Sequence, residues 1–208
     1  MSASQFYYSD RMGRIILQAM EEILGRNGAN AILHLASLTD YLIEDSAPQA
    51  PTRKLSFESI GALQGALENF YGPHGGRGVA LRIGRACFQH GLREFGPAQG
   101  LTDLAFRLLP VQPKFNTGAK LLADIFNQYS DQRVRLEYKD TFLLWHIERC
   151  PLCWGRQTEA PCCQMAVGLL QESLYWMSGG KFYRVEETGC HACGDAACTI
   201  LIEKTPMS

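Results

Sequence analysis

The chain has 208 residues, of which 46% are hydrophobic and 20% are charged, a composition that is typical of an ordinary globular protein. Its formal net charge of −1 gives no bulk attraction to nucleic acid, and no run of about 18 apolar residues predicts a membrane span. The N-terminus lacks an apolar signal core and the cysteines are closely spaced, so we expect a cytoplasmic protein whose thiols bind metal instead of forming disulfides.

The first two thirds of the chain are predicted to be helical, because apolar residues recur there at three- and four-residue spacing. The predicted helices cover residues 9–26, 30–43, 56–71, 79–94, 101–109 and 113–128. Residues 45–53 form a Pro- and Ala-rich connector. The Gly-rich segment 71–78 favours a turn between helices over a phosphate-binding loop, because it lacks the Gly-Lys-Ser/Thr ending and no strand precedes it.

The last third alternates between strand and helix. Residues 133–139 and 142–147 predict a hairpin, a helix follows at 163–178, and residues 182–188 alternate as a further strand. Runs of helices followed by strands indicate an α+β fold in which the helices wrap one small sheet. We therefore expect a single domain over residues 1–208, with a helical part at 1–132 and a metal-binding part at 133–203.

Seven of the eight cysteines lie from Cys150 onward. Glu187 falls on the inward face of its predicted strand, and a buried carboxylate is costly unless a cation or a donor meets it. Cys198 shares a face with two isoleucines of the next strand, and Cys163 begins the apolar stripe of the preceding helix. Three thiolates and one carboxylate suit a structural zinc ion, and the alternative is a set of buried free cysteines. The predicted zinc ligands are Cys163, Glu187, Cys190 and Cys198.

The remaining clustered cysteines admit several interpretations. They are Cys150, Cys153, Cys162 and Cys193. They could form a second metal site, and the Cys150-Pro-Leu-Cys153 pair could instead be a redox pair or part of an iron–sulfur cluster. Packed or exposed thiols are the fourth alternative. Spacing alone does not decide whether Cys162 or Cys163 is a ligand of the first site.

The pattern Glu187-x-x-Cys190-x-x-x-Gly194-x-x-x-Cys198, preceded by Cys163-x-x-x-x-Gly168, resembles the 4-vinyl reductase domain over about residues 133–203. In phenol-sensing regulators of that family the matching positions bind zinc, which supports the four ligands above. The resemblance implies a ligand-binding fold similar to NO-signalling and TRAPP-like proteins, with helices packed on an antiparallel sheet and often dimeric. Many members sense or bind small hydrophobic molecules. The family name comes from proteins linked to reduction of the 4-vinyl group in bacteriochlorophyll synthesis.

The sequence favours binding over catalysis. It has no nucleophile elbow and no nicotinamide fingerprint, and a zinc ion with four protein ligands has no open position for a substrate. We expect a binding or sensory protein for a small hydrophobic or aromatic ligand. The alternative is a 4-vinyl reductase, or a subunit of one, acting on a bacteriochlorophyll-type tetrapyrrole.

Aromatic residues and one histidine indicate where a ligand could bind. The predicted pocket residues are Phe142, Trp145, His146 and Trp176. We also expect a homodimer that pairs through residues 15–42. A sensor of this kind would need a partner protein for its output, and we expect no nucleic-acid partner.

Overall fold

Helices form the first part of the chain and a small sheet the second in the computed structural model, which describes residues 5–43 and 54–207. The helices are α1 (Asp10–Leu35), α2 (Phe57–Phe95), α3 (Leu104–Arg107), α4 (Val111–Tyr129) and α5 (Gln164–Ser178). The strands are β1 (Tyr7–Tyr8), β2 (Leu55–Ser56), β3 (Arg133–Tyr138), β4 (Phe142–Arg149), β5 (Tyr183–Gly189) and β6 (Cys198–Pro206). Short 3-10 helices cover Thr39–Tyr41 and His191–Cys193. The connector predicted at residues 45–53 lies outside the described residues.

The main sheet is antiparallel and four-stranded, in the order β3-β4-β6-β5. Trp145 of β4 pairs with Ile200 of β6, and both side chains are almost fully buried. A separate two-stranded pair joins β1 to β2 through Tyr8 and Leu55. The predicted α+β class, with helices packed on a small antiparallel sheet, is confirmed.

The apolar face of α1 is buried inside its own chain. Met20, Ile32 and Leu33 are fully buried, and α1 packs against α2. Much of the apolar surface of residues 15–42, which we expected to pair with a second chain, is therefore used for the core, whereas Leu35 in that range is 56% exposed. The helix predicted over residues 30–43 ends earlier, at Leu35. No helix in the described part of the chain is long and apolar enough to cross a membrane.

One glycine interrupts each of the two long helices. Gly25 in α1 (φ 70°, ψ 163°) and Gly72 in α2 (φ 77°, ψ 163°) adopt a positive φ that other residues rarely tolerate. Pro73 follows directly, at the start of a new helical segment where its missing N–H is not needed. The prediction of a turn over all of residues 71–78 is therefore wrong, because the turn is confined to Gly72 and the chain is helical after it.

Two glycines allow α2 and α5 to approach each other closely. A Cβ atom on Gly168 would lie 2.0 Å from the carbonyl oxygen of Leu81, and one on Gly84 would lie 2.0 Å from the carbonyl oxygen of Met165. Neither backbone could stay in place with a larger residue at these positions. The contact fixes the first half of α5 against α2.

We expect Gly168→Ala to lower the free energy of unfolding by roughly 1–3 kcal/mol, because its methyl group would overlap the Leu81 carbonyl. Gly78→Ala in α2 is the control, since a Cβ atom there meets no atom within 4 Å. Alanine favours a helix over glycine, so the control should be neutral or gain up to about 1 kcal/mol. Urea unfolding measures both variants, and an equal response would contradict the close packing.

Candidate metal centre and ligand cavity

Six buried cysteines meet where the sheet, the start of α5 and two loops come together. These residues, which we call the cysteine cluster, are Cys150 and Cys153 after β4, Cys162 and Cys163 before α5, Cys190 after β5, and Cys198 at the start of β6. All eight cysteines of the chain are free thiols. The sulfur atoms of Cys153 and Cys198 are 3.3 Å apart, far beyond the disulfide bond length of about 2.05 Å.

The turn between β5 and β6 places two of these thiols. The backbone N–H of Cys190 donates to Oδ2 of Asp195 at 2.7 Å, which closes the loop on itself. Gly194 supplies the positive φ, 95°, that ends the short 3-10 helix within this loop. The chain then enters β6 with Cys198 facing the interior.

The four residues predicted to bind zinc lie together, with their ligand atoms all within 4.8 Å of one another. The sulfur of Cys163 is 3.8 Å from that of Cys190 and 3.7 Å from that of Cys198. The sulfurs of Cys190 and Cys198 are 3.9 Å apart, and the N–H of His191 donates to the Cys198 sulfur at 3.3 Å. A tetrahedral zinc ion with Zn–S bonds of about 2.3 Å requires sulfurs about 3.8 Å apart. The three thiols therefore already have the spacing of a tetrahedral thiolate site.

Glu187 completes this group with an oxygen that has no other partner. Its Oε2 atom accepts a hydrogen bond from the backbone N–H of Cys163 at 2.7 Å. Its Oε1 atom is buried and has no hydrogen-bond partner among the described residues. Such an atom is costly to bury unless a cation meets it. Burial, followed by the charge of Cys190, raises the pKa of Glu187 to about 8 in the metal-free protein. The donor set of three sulfurs and one oxygen fits zinc.

The structure joins Cys150 and Cys153 to the first group instead of to a separate second site. Their sulfur atoms form another group of four with those of Cys163 and Cys198, again all within 4.8 Å of one another. The sulfur of Cys150 is 3.5 Å from that of Cys163, and the sulfur of Cys153 is 3.3 Å from that of Cys198. The two groups therefore share Cys163 and Cys198.

The other two members of the second predicted set lie outside both groups. The sulfur of Cys162 is buried 3.9 Å from that of Cys190. Cys193 is exposed, and its sulfur lies 3.7 Å from the hydroxyl oxygen of Thr158. The structure thus does not bring Cys193 together with Cys150, Cys153 and Cys162.

A cavity of about 90 Å³ lies beside the cysteine cluster, between β4 and helices α1, α2, α4 and α5. Its wall is almost entirely apolar and includes Ile16, Phe88, Leu122, Trp145, Leu152 and Met165. Leu152 lies between Cys150 and Cys153, and Met165 comes two residues after Cys163. The cavity wall and the cysteine cluster therefore share two segments of the chain.

Two buried polar side chains form a pair in the cavity wall. The hydroxyl of Tyr8 donates a hydrogen bond to Oε1 of Gln132, and both residues line the cavity. Burial raises the pKa of Tyr8 well above its ordinary value, and the nearby cysteines, Cys150 first, raise it further. Burial, with a smaller contribution from Glu22, raises the pKa of the Cys87 thiol in the same wall to about 12. The cavity therefore presents neutral polar groups.

The sequence did not predict the pair of Tyr8 and Gln132, because these residues are 124 positions apart and no local pattern links them.

Of the four residues predicted to line a ligand pocket, Trp145 lies in this cavity wall. His146 projects from β4 away from it, with Nδ1 3.0 Å from the hydroxyl oxygen of Thr199. Phe142 and Trp176 are not among the described residues of the wall. The alternation of β4 explains the difference between Trp145 and His146, because neighbouring residues of a strand face opposite sides of the sheet.

The raised pKa of Glu187 predicts how the stability of the metal-free protein depends on pH. The folded state keeps this proton up to about pH 8, whereas the unfolded state releases it near the ordinary value of 4.5. The stabilisation is fully present below pH 4.5 and is lost as pH rises through about 8. We expect Glu187→Gln, which stays neutral, to weaken this decline in chelator-treated protein. With zinc bound, the same change should lower the melting temperature because it removes an anionic ligand.

Thermal unfolding between pH 5 and 8, with and without zinc, measures both effects. Glu186→Gln is the matched control, because the neighbouring carboxylate is exposed and pairs with Arg184 at 2.7 Å. This control should change the free energy of unfolding by at most about 1 kcal/mol, the value of a surface ion pair, both with and without zinc. A Glu187→Gln effect of the same sign with and without zinc would contradict its role as a ligand.

Comparison with known proteins shows the fold. No family model and no curated protein matches the chain. The phenol-responsive sensory domain of the transcription activator PoxR, solved with phenol, is 21% identical over 81% of this chain and 87% of that chain, with a TM-score of 0.54. An H-NOX protein from S. oneidensis in the Fe(II)NO ligation state is 10% identical over 93% of this chain and 98% of that chain, with a TM-score of 0.57. A double variant of the Tt H-NOX is 12% identical over 96% of this chain and 97% of that chain, with a TM-score of 0.57. The chain therefore has the α+β fold that these H-NOX proteins and the PoxR sensory domain share.

Proposed function

We propose that this protein is a binding or sensory module for a small apolar or aromatic molecule, which occupies the cavity beside the cysteine cluster. The observation that carries the proposal is the cavity itself, with its apolar wall and one buried polar pair, Tyr8 and Gln132. Ligand sites combine apolar walls with a few placed polar groups in this way. A cavity of about 90 Å³ is on the scale of the ~150 Å³ cavity that accommodates benzene in another protein. The phenol bound by the PoxR domain is a ligand of this class.

We assign a structural zinc ion to Cys163, Glu187, Cys190 and Cys198. The sulfur spacing and the unpaired oxygen of Glu187 support it. Bound there, zinc would supply cohesion between elements, because four protein ligands leave no position for a substrate. It would hold the β5–β6 turn against the start of α5, and so fix the part of the cavity wall that α5 contributes.

Membership of the 4-vinyl reductase domain family remains our proposal. The Cys163-to-Gly168 and Glu187-to-Cys198 spacings support it, and the facing glycines at the α2–α5 contact give Gly168 a physical reason. The reductase alternative would require a site for a tetrapyrrole. A cavity of about 90 Å³ suits one ring better than four, so its size favours the binding function.

Haem does not fit the cavity wall. An H-NOX protein with this fold has been solved in an Fe(II)NO state, but the described residues that line this cavity include no histidine. Cys87 is the thiol in the wall, and its raised pKa keeps it protonated. A neutral thiol is a weak metal ligand. Tyr8, Met12 and Met165 also line the cavity and are of residue types that can bind haem iron, but a cavity of about 90 Å³ suits one ring better than a tetrapyrrole. We therefore assign no iron chemistry to this cavity.

In a sensory protein, ligand binding must change how the protein interacts with another protein. Ligand contacts on α1, α2, α4 and α5 would stiffen the four helices that surround the cavity. We predict that the protein passes its signal to a partner protein and that it forms a homodimer. Two neighbouring apolar side chains on the surface, Leu104 and Leu108, are 70% and 73% exposed and offer one place for such contacts.

Phenol is the probe that tests the cavity. We expect it to bind the purified protein and to change the fluorescence of Trp145 in the wall. Gly91→Leu should weaken binding at least tenfold, because Gly91 lines the cavity and a Cβ atom there enters open space. Gly78→Leu adds the same side chain to the same helix outside the cavity wall and should bind as the wild type does. Titration calorimetry compares them after circular dichroism has shown equal folding. Equal binding by the two variants would contradict the assignment.

The polar pair predicts a preference among ligands of similar size. Tyr8→Phe keeps the aromatic wall but removes the hydroxyl that bonds to Gln132. We expect phenol to bind about fivefold more weakly, the value of one hydrogen bond of roughly 1 kcal/mol, whereas toluene should be unaffected or bind more tightly. The same calorimetric titrations measure both ligands. Equal losses for phenol and toluene would show that Tyr8 only maintains the shape of the cavity.

A further inference from the structure

Two groups of four ligand atoms in the cysteine cluster have two members in common. The first group is Cys163, Glu187, Cys190 and Cys198, and the second is Cys150, Cys153, Cys163 and Cys198. Together they contain five cysteines and one glutamate, all buried. Two separate tetrahedral sites would need eight ligands, so sharing is built into this arrangement.

Short sulfur–sulfur distances connect each group to the shared pair, Cys163 and Cys198. The sulfurs of Cys163 and Cys198 are 3.7 Å apart, close to the edge of about 3.8 Å expected in a tetrahedral zinc–thiolate site. Cys190 lies 3.8 Å from Cys163 in one group, and Cys150 lies 3.5 Å from Cys163 in the other. Cys153 approaches Cys198 to 3.3 Å. These distances are compatible with two tetrahedra that share the edge between Cys163 and Cys198.

We propose that the cysteine cluster is a binuclear metal centre, in which two zinc ions are bridged by the thiolates of Cys163 and Cys198. One ion takes Glu187 and Cys190 as its remaining ligands, and the other takes Cys150 and Cys153. The inference rests on the structural zinc site assigned above and adds a second ion to it. It gives the Cys-x-x-Cys motif a ligand role without recruiting the exposed Cys193.

The local structure around Cys150 and Cys153 suits a ligand loop. Two residues between the cysteines is a common spacing for zinc ligands. The N–H of Trp154 donates to the carbonyl of Pro151 at 3.3 Å, and that of Arg156 donates to the carbonyl of Cys153 at 3.1 Å. These consecutive turns aim both sulfurs inward, and neither cysteine is more than 3% exposed. A second ion would fasten the loop to α5 and β6.

Charge balance also permits the second ion. A single zinc ion in the first group would leave the thiols of Cys150 and Cys153 packed against its sulfur ligands. The second ion brings two positive charges, and ionising these two thiols brings two negative ones. The net charge of the buried cluster is therefore the same with one ion or two, so the second ion adds no net charge to the interior.

Native mass spectrometry of zinc-loaded, tag-free protein tests the inference. We expect two zinc ions per wild-type chain and one in the double variant Cys150→Ser/Cys153→Ser. Cys193→Ser is the control and should keep two, because Cys193 lies outside both groups. X-ray absorption of the wild-type protein should show a zinc–zinc scattering shell, a result that does not depend on any variant folding.

The outcomes separate the two assignments. One zinc per wild-type chain with no zinc–zinc shell, retained in the double variant, would overturn the binuclear centre and leave the single site standing. No bound zinc in wild-type protein would overturn both. Iron with acid-labile sulfide in freshly purified protein would also overturn both, because an iron–sulfur cluster bridges its metals through sulfide.

Discussion

A buried carboxylate that accepts one backbone N–H ties the sheet to the helices. Glu187 of β5 accepts this bond from Cys163, the N-cap residue of α5, while its second oxygen has no hydrogen-bond partner in the described part of the chain and the carboxylate lies near three sulfurs. Burying this oxygen without a partner costs free energy. A cation that binds both the oxygen and the neighbouring sulfurs would remove this cost and would link the sheet to α5. The junction joins β5 to the start of α5, while β5 and β6 are also held together by their own antiparallel pairing.

The junction also explains why the cavity lies where it does. α5 is held on one side by the glycine contact with α2 and at its first turn by the cysteine cluster. Residues of the same turn, such as Met165, then form the cavity wall, and Leu152 reaches it from the loop that carries Cys150 and Cys153. Metal binding and ligand binding are therefore expected to depend on each other, because the segments that carry Cys150, Cys153 and Cys163 also contribute Leu152 and Met165 to the cavity wall.

Local periodicity explains what the sequence could predict. The two-residue alternation of β5 turned Glu187 inward, and the helical stripe that begins at Cys163 turned that thiol toward it. The loop of Cys150 and Cys153 has no periodicity. The sequence therefore could not predict which residues these two sulfurs contact, because the tertiary fold determines those contacts. The same holds for Tyr8 and Gln132, which only the tertiary fold brings together. Pro73, which follows Gly72, indicates the start of a helix. The other glycines of residues 71–78 led instead to the prediction of a turn over the whole segment.

The most direct test of this account is to remove metal from the purified protein with a chelator and to measure its unfolding and its binding of phenol in parallel. We expect the melting temperature to fall and phenol binding to be lost together, and stoichiometric zinc to restore both. Unchanged unfolding and unchanged phenol binding after complete removal of metal would contradict a metal centre that organises the cavity wall.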